Sequence, residues 1–369
     1  MKKIKMKKIA IAFVLIIVAI SVTAVLFLLL WPAFGKTPSK EDKLYYQSKA
    51  DYWYDGIFHS KPEISILSGK ESEFSGNEET VPKGTLPVEK LSGIPDAAEG
   101  EMKVVWFGHS SSMLQLQGKN ILIDPVLSTY ASPVAGFGSK RFSELPITAE
   151  LLPEIDVLVI SHDHYDHLDY KTIKAMDKKV KEYCVPLGVE NHLIRWGVDE
   201  AKIHVMAWWD EVQIDGLKIT STPGQHYSWR VLWGKSTTLW SGYVFTNQKY
   251  QVYYTGDTGY GEFYSEIYEK LGDMDLLLLE NGQYDNAWES IHMHPEQAIE
   301  AAKTVHAAWV IPVHWGAYTL ANHPWDDSIR RMTSKGRAAG LNIATPKIGE
   351  IVDYNAIGRY QENWWEAIE

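Results

Sequence analysis

The chain has 369 residues, a formal net charge of −11 and a single cysteine, Cys184. Because the first 31 residues carry five lysines and no acidic residue, the remainder carries a charge of −16. Nucleic-acid binding needs clustered lysines and arginines, so this acidic remainder argues against a nucleic-acid partner. A lone cysteine excludes an internal disulfide. We expect Cys184 to be a small buried residue, because it lies in an apolar stretch.

The amino-terminal segment predicts a membrane anchor. Five lysines precede Ile9–Trp31, a run of 23 residues without a charge. A helix of that length spans roughly 34 Å, enough for the hydrocarbon core of a bilayer. A cleaved signal peptide is the alternative, but its apolar core is usually only about 7–15 residues long. We expect residues 1–31 to be a single-pass anchor in the cell membrane, with the lysines inside and the remainder outside.

Residues 32–100 are expected to form a linker or an arm that wraps around the main body. The aromatic residues between Tyr45 and Phe58 predict a short helix that packs onto that body. The stretch from Ser68 to Gly100 is rich in Gly, Ser, Glu and Pro, as in linkers. Residues 101–369 are long enough for one large domain.

Alternating strands and helices place residues 101–369 in the α/β class. A hairpin is predicted at residues 114–123, around the turn at Gly118. Apolar or alternating runs predict strands at 155–160, 217–222, 250–255 and 309–313. Helices are predicted at 170–181 and at 295–306, where Pro295 suits a first helical position.

A dense group of histidines and aspartates follows the strand predicted at 155–160. It contains His162, His164, Asp166 and His167. Neutral imidazole and carboxylate are the ligands that zinc and similar divalent metals prefer. A lone histidine is usually a structural residue, but three histidines within six positions predict a metal site.

Three more predicted strands are followed by a residue that can bind a metal, namely His226, Asp257 and His314. Strands that share one edge of a sheet would bring these residues to the loop that follows residue 160. Together the segments offer five histidines and two aspartates, more than one tetrahedral ion uses. We therefore expect two metals, with Asp257 between them, because the nearby Gly256 and Gly259 allow close backbone approach.

These segments resemble the metallo-β-lactamase superfamily in motif order. Asp124 resembles its first motif, and the match runs from about Met102 to about Glu350. The resemblance implies a four-layer αββα sandwich with two zinc ions at one edge. The implied ligands are His162, His164 and His226 for one ion, Asp166, His167 and His314 for the other, and Asp257 as the bridge.

Other segments resemble the branch that contains N-acyl-phosphatidylethanolamine-hydrolysing phospholipase D. They are Trp106–Ser111, Asp124–Ser128, Ser139–Phe142, Ser161–Tyr170, Thr222–His226, Gly256–Tyr260 and His314–Gly316. The resemblance implies a phosphodiesterase that attacks phospholipids of this kind through a metal-bridging hydroxide and leaves phosphatidic acid. Asp166 and Asp257 are its expected catalytic carboxylates. The chain departs from the branch at His292–Pro295, where the branch often has an acidic or small residue.

Two other functions remain open at this stage. One is a lactonase or another small-ester hydrolase that uses the same metals, and the other is a surface binding protein in which the metals are structural. The ligands also suit iron or manganese.

Several residues near the expected metal site have more than one interpretation. His292 is a candidate general acid, with a solvent-facing loop histidine as the alternative. Tyr165 either faces substrate or packs, and His109 is expected to orient Asp124 or a metal ligand. Tryptophans around His226 form either an apolar groove or core. They are Trp208, Trp209, Trp229, Trp233 and Trp240, and the loop 225–239 is expected to line the entrance.

Overall fold

The computed structural model describes residues 2–98, 100–230 and 234–368, with side chains from Met6 onward. Trp233, one of the tryptophans in the expected groove, lies outside the described residues. The α-helices are α1 (Lys2–Leu30), α2 (Lys40–Lys49), α3 (Tyr170–Met176), α4 (Glu190–Arg195), α5 (Phe263–Leu271), α6 (Pro295–Thr304) and α7 (Asp327–Ala338).

The strands are short and form two large sheets and two small hairpins. They are β1 (Trp53–Tyr54), β2 (Ile57–Phe58), β3 (Met102–Trp106), β4 (Ser112–Leu116), β5 (Lys119–Ile123), β6 (Tyr130–Ala131), β7 (Ser139–Lys140), β8 (Ile155–Val159), β9 (Val180–Pro186), β10 (Ile203–Met206), β11 (Glu211–Ile214), β12 (Leu217–Thr222), β13 (Gly242–Thr246), β14 (Gln251–Tyr254), β15 (Leu276–Glu280), β16 (Trp309–Val313) and β17 (Ile351–Asp353).

Both large sheets mix parallel and antiparallel strands. The first has the order β10-β9-β8-β5-β4-β3-β17, and the second has the order β11-β12-β13-β14-β15-β16. Pairing in the first sheet makes β3, β5, β8 and β9 run in one direction. Pairing in the second does the same for β12, β14, β15 and β16. In each sheet the carboxyl ends of these strands therefore meet at one edge.

Successive side chains of a strand point to opposite faces of its sheet. In both large sheets, one face therefore packs against the other sheet and the opposite face packs against helices. In β3, Val104 points between the two sheets and Val105 points to the outer face, under α3 and α4. In β14, Val252 points between the sheets and Tyr253 packs under α5, α6 and α7. The result is the expected αββα sandwich. Cys184 is buried between the sheets, and burial raises the pKa of its thiol.

Most of the predicted elements are confirmed, and two are wrong. The hairpin, the four strands and the helix that begins at Pro295 occur within one or two residues of their predicted bounds. The helix predicted at 170–181 ends at Met176, and Val180 begins β9. The β-branched and aromatic residues of 180–185 pair with β8 and β10, and this sheet pairing outweighs the helical pattern.

The second error lies in the segment after the apolar helix. The residues 53–58 form the β1–β2 hairpin, and the helix α2 ends before them at Lys49. Tyr46 and Phe58 are nevertheless buried against the main body, in a cluster with Trp208 and Trp240. Farther along, Val88 forms a bridge with Ile348 of the main body. The segment therefore lies along the sandwich.

The helix α1 contains Met6–Leu30, a stretch of 25 residues that is long and apolar enough to cross a membrane. The side chains described in this helix, from Met6 onward, form no part of the buried core. The end of the helix contacts the sandwich, because the Arg195 guanidinium donates to the carbonyls of Leu29 and Leu30, at 3.0 and 3.2 Å. A cation at that position satisfies carbonyls that the helix leaves unpaired.

Candidate metal centre

The edge where the strands end holds all seven residues that the sequence proposes as metal ligands. The nitrogens of His162, His164 and His226 lie within 4.8 Å of one another. The same limit holds for the ligand atoms of a second group, which comprises His109, Asp166, His167 and His314. Each member follows the carboxyl end of β3, β8, β12 or β16, so strand direction brings these distant segments together.

Asp257, which follows β14, lies between the two groups. Its Oδ2 atom is 3.0 Å from His167 Nε2, 3.8 Å from His162 Nε2 and 3.9 Å from His226 Nε2. Its Oδ1 atom is 3.2 Å from His314 Nδ1. One carboxylate therefore lies close to both groups, and its role as a bridging ligand stays a prediction.

Hydrogen bonds on the far side of the rings fix which nitrogen faces the centre. His167 Nδ1–H donates to Asp124 Oδ2 at 2.7 Å, and His226 Nδ1–H donates to the carbonyl of Ile291 at 3.0 Å. The free lone pair of each ring is then on Nε2, which points toward Asp257. Partners of this kind orient metal-binding histidines and raise their basicity.

Asp124 is fully buried at the end of β5 and is held by several donors. The backbone N–H of Ser161 donates to Oδ1 at 2.7 Å, and the Tyr254 hydroxyl donates to Oδ2 at 2.5 Å. The Ser161 hydroxyl also donates to Oδ2. Asp124 therefore fixes His167 and the start of the metal loop, Ser161–His167, without pointing into the centre.

Asp124→Asn is expected to lower the affinity for one metal by about 10- to 100-fold, because the amide nitrogen cannot accept the bonds that hold His167. The measurement is a titration of metal-free protein with zinc against a competing chelator. Tyr254→Phe, which removes one donor and keeps the carboxylate, serves as the milder comparison. Unchanged affinity in Asp124→Asn would show that His167 needs no such support.

His109 supports Asp166, a carboxylate of the metal loop. Its Nε2 atom is 2.8 Å from Asp166 Oδ2, and the ring is fully buried. Of the two partners that the sequence left open for His109, the structure selects the metal-loop residue Asp166 over Asp124.

Glu280 is a site residue that the sequence reasoning missed. It is fully buried at the end of β15, and its Oε1 atom is 2.7 Å from His292 Nδ1. The His292 ring stacks on His314 with centroids 5.2 Å apart, so His292 is not a solvent-facing loop residue. A sequence signal for Glu280 was nevertheless present. Glu280 lies at the end of an apolar strand, and the other site residues also lie at or just after the ends of strands.

The charges of the cluster favour a cation. Burial and neighbouring imidazoles hold the pKa values of His162, His226 and His314 well below the usual range, so these rings are neutral and can bind a metal. Burial opposes a charge on His167, but the carboxylates of Asp257 and Asp166 outweigh it and raise its pKa. A site that attracts a proton this strongly also attracts a divalent cation.

Unpaired polar atoms give a separate test of whether a metal fits. Among the described residues, Asp257 Oδ1 and His314 Nε2 are buried and have no hydrogen-bond partner. Buried polar atoms without a partner are rare and costly, and an ion is one of the ways to satisfy them. The donor set of imidazoles and carboxylates is also the one that zinc prefers. The residues present therefore fit a metal centre.

Comparison with known proteins identifies the family. The family profile described as "Beta-lactamase superfamily domain" matches residues 119–315, more than half of the chain. The chain belongs to the beta-lactamase superfamily. It is a metal-dependent hydrolase of that superfamily, and its fold and metal cluster agree with this membership.

Relatives within the beta-lactamase superfamily come from distant organisms. An uncharacterised protein of Mycobacterium tuberculosis is 38% identical over 268 residues, 72% of each chain. The N-acyl-phosphatidylethanolamine-hydrolysing phospholipase D 1 of Caenorhabditis elegans is 30% identical over 304 residues, 78% of this chain and 85% of the relative. The solved structure of an isothiocyanate hydrolase from Delia radicum gut bacteria has a TM-score of 0.54 at 25% identity, covering 68% of this chain and 98% of that one.

A cavity of about 430 Å³ opens onto the centre of this superfamily member. Asp257, His292 and His314 lie at its floor, and its walls are largely apolar. The wall residues are Ile66, Leu67, Ala131, Tyr165, Tyr227, Trp229, Trp288, Ile291 and Leu320. A second cavity of about 650 Å³ shares Ile66, Leu67 and Tyr227 with it. The arm that follows the apolar helix therefore supplies part of both walls.

The aromatic residues near the centre differ in role. Trp208 and Trp240 are core residues, whereas Trp229 is 47% exposed and lines the cavity. The Tyr165 hydroxyl donates to the carbonyl of Arg230 at 2.6 Å, so the ring is fixed where it lines the wall.

Proposed function

We propose that the chain is a dinuclear zinc phosphodiesterase of the phospholipase D type that acts on N-acyl-phosphatidylethanolamine-like lipids. The observation that carries the proposal is the position of Asp257, whose Oδ1 atom lies near His314 of one group and whose Oδ2 atom lies 3.8 and 3.9 Å from His162 and His226 of the other. In this proposal the metal sets are His162, His164 and His226 for one ion, Asp166, His167 and His314 for the other, and Asp257 between them. Two bound ions supply a water nucleophile at neutral pH and stabilise charge on the attacked phosphoryl group.

His292 and Glu280 are assigned to the leaving group. Burial raises the pKa of Glu280 and lowers that of His292 to about 3, so the carboxyl keeps the proton of the pair and shares it with His292 Nδ1. His292 Nε2–H then gives its proton to the departing oxygen of the head group, and the Glu280 proton moves to Nδ1. Asp166, of which only Oδ2 is paired with His109, is assigned the one proton that water releases as its oxygen bonds to phosphorus. Asp257 would hold the two ions that supply this water.

A lipid substrate is supported by the cavity and by the relatives. The cavity walls include Ile66, Leu67, Trp229 and Leu320, which suit acyl chains better than a sugar or a nucleotide. The Caenorhabditis elegans relative is named for hydrolysing N-acyl-phosphatidylethanolamine. In this substrate the bond that breaks joins phosphorus to the head-group oxygen, and the products are phosphatidic acid and an N-acylethanolamine.

The test is turnover of N-acyl-phosphatidylethanolamine by the zinc-loaded chain in detergent, with both products measured. We expect product that disappears with a chelator and returns when zinc is restored. Hydrolysis of lactones or small esters without phosphodiester cleavage would instead establish the alternative ester hydrolase. A protein that holds two metals and hydrolyses neither class would favour the third function, a binding protein with structural metals.

We also propose that residues 1–31 anchor the enzyme in the cell membrane with the catalytic domain outside, residues 32–100 wrap the domain, and residues 101–369 form it. The apolar run of the helix that begins at Ile9 supports the anchor, and the five lysines before it support the orientation.

Removing residues 1–30 is expected to release the protein into the soluble fraction while it stays folded and binds metal. Trp31 is retained because its indole N–H donates to the carbonyl of Pro133 at 2.7 Å. The measurement is fractionation of cells that express either form, with a high-salt wash as control. A shortened chain that still needs detergent for extraction would contradict a separate anchor.

A further inference from the structure

The residues that follow the apolar helix are connected to the metal loop through the side chain of His192. The backbone N–H of Lys36 donates to His192 Nδ1 at 2.9 Å. Since Nδ1 accepts this bond, the ring proton is on Nε2, which lies 3.2 Å from Asp163 Oδ2. The other oxygen of Asp163 accepts from the backbone N–H of Trp229 at 3.0 Å. His192 and Asp163 are both buried.

Asp163 lies between two of the proposed metal ligands, His162 and His164, in the sequence. Its carboxylate points away from the centre and is held by His192 and Trp229. A shift of Asp163 would move the backbone of both neighbouring ligands. The position of Lys36 is thus connected to the metal loop by two hydrogen bonds in series.

Arg230 makes a second connection between the same two segments. Its Nε–H donates to the carbonyl of Ala33 at 3.0 Å, and Nη1 donates to the carbonyls of Asp163 and Leu168, both at 2.8 Å. The guanidinium is 4.3 Å from the centroid of the Tyr165 ring and is buried. The planar guanidinium holds these three carbonyls in a fixed arrangement, which a lysine cannot do.

Gly35 makes this close approach possible. A Cβ atom at this position would lie 2.2 Å from His192 Nδ1, and the backbone φ is +76°. Gly69 has the same φ of +76° but open space where its Cβ would be. The chain therefore contains a matched pair of glycines, in which only Gly35 meets the histidine.

We propose that residues Trp31–Lys36 form a positioning clamp that sets the affinity of the metal held by His162, His164 and His226. The clamp acts through His192, Asp163 and Arg230, none of which points into the centre. The proposal rests on the metal centre of the proposed function and extends it to the segment that leaves the membrane. Movement of the chain at the membrane surface is thereby connected to metal binding.

The experiment measures zinc affinity and stoichiometry of the full chain in detergent, by titration against a competing chelator. Gly35→Ala is expected to weaken one of the two ions by about tenfold and to leave the other unchanged. Gly69→Ala is expected to match the wild type, because it shares the backbone strain without the clash. Arg230→Lys, which removes the second connection, is expected to weaken the same ion. Equal affinities in all four proteins would overturn the clamp.

A double variant separates the clamp from a general loss of stability. His192→Ala is expected to cost about as much affinity as Gly35→Ala. Adding Gly35→Ala to His192→Ala should cost nothing more, because the ring that the new Cβ meets is gone. Additive losses would show that Gly35 does not act through His192. A wild-type chain that holds fewer than two ions would contradict the proposed function itself, whereas two ions with no effect of Gly35→Ala would contradict the clamp alone.

Discussion

Asp257→Asn is expected to lower hydrolysis by at least about 10³-fold and to reduce bound metal from two ions per chain to one or none. Asparagine has nearly the same shape, but it is neutral and has one oxygen in place of two. It cannot reach both groups of ligand atoms, which Asp257 does through Oδ1 to His314 of one group and Oδ2 to His162 and His226 of the other. Elemental analysis and turnover measured on the same preparation test this prediction.

Asp273→Asn is the matched control for Asp257→Asn, because the Asp273 side chain is 75% exposed and lies away from the metal cluster. It is expected to keep both ions and full turnover. If Asp257→Asn also kept two ions and wild-type turnover, the assignment of Asp257 as the bridging ligand would be wrong.

Glu280→Gln is expected to lower kcat by about 10²- to 10⁴-fold while both ions remain bound. Glutamine keeps the shape of the side chain but has no carboxyl proton to pass to His292 Nδ1. His292→Ala should have a similar effect, and the double variant should be no worse than His292→Ala alone, because the two residues act as one relay. The measurement is steady-state turnover combined with metal analysis of each variant.

Glu182→Gln provides the matched control, since Glu182 forms another histidine–glutamate pair, with His204, at 3.0 Å on the protein surface. It is expected to leave kcat unchanged. A loss of metal in Glu280→Gln would point to a role for Glu280 in holding the centre together, and additive losses in the double variant would contradict the relay.

The pH dependence of kcat has an expected direction. Burial raises the pKa of Glu280 well above its ordinary value, so the relay keeps its proton to a higher pH than an exposed carboxyl would. Proton donation is then lost as the pH rises through that raised pKa, and kcat should fall on the alkaline side. Glu280→Gln should remove this dependence. A wild-type kcat that stays constant well into the alkaline range would contradict proton donation by this pair.

The candidate metal-binding residues could be predicted from the sequence where they directly follow a strand. Asp257 follows β14 and His314 follows β16, so pattern and order sufficed to place them together. Glu280 has the same signal but ends a fully apolar strand, which reads as core until the direction of β15 is known. His109 could be paired with Asp166 only through the three-dimensional arrangement of β3 and β8.

The errors and omissions involve contacts that are distant in sequence. Val180–Pro186 became a strand because two neighbouring strands were available to pair with it, which no local pattern reports. No sequence motif contains His192, and its bonds to Lys36 and Asp163 join residues 156 and 29 positions away. Such contacts depend on the final packing of the chain. Local pattern therefore predicted the α/β class and the segments that meet at the sheet edge, the family resemblance implied the four layers, and the supporting residues required the structure.

Hydrolysis of N-acyl-phosphatidylethanolamine in ¹⁸O-labelled water tests the central claim most directly. In the proposed reaction, water attacks phosphorus and the bond to the head-group oxygen breaks. Mass spectrometry should then find one ¹⁸O atom in the phosphate of phosphatidic acid and none in the N-acylethanolamine. Label in the N-acylethanolamine, or no hydrolysis by a protein that carries two metals, would contradict the proposed phospholipase D reaction.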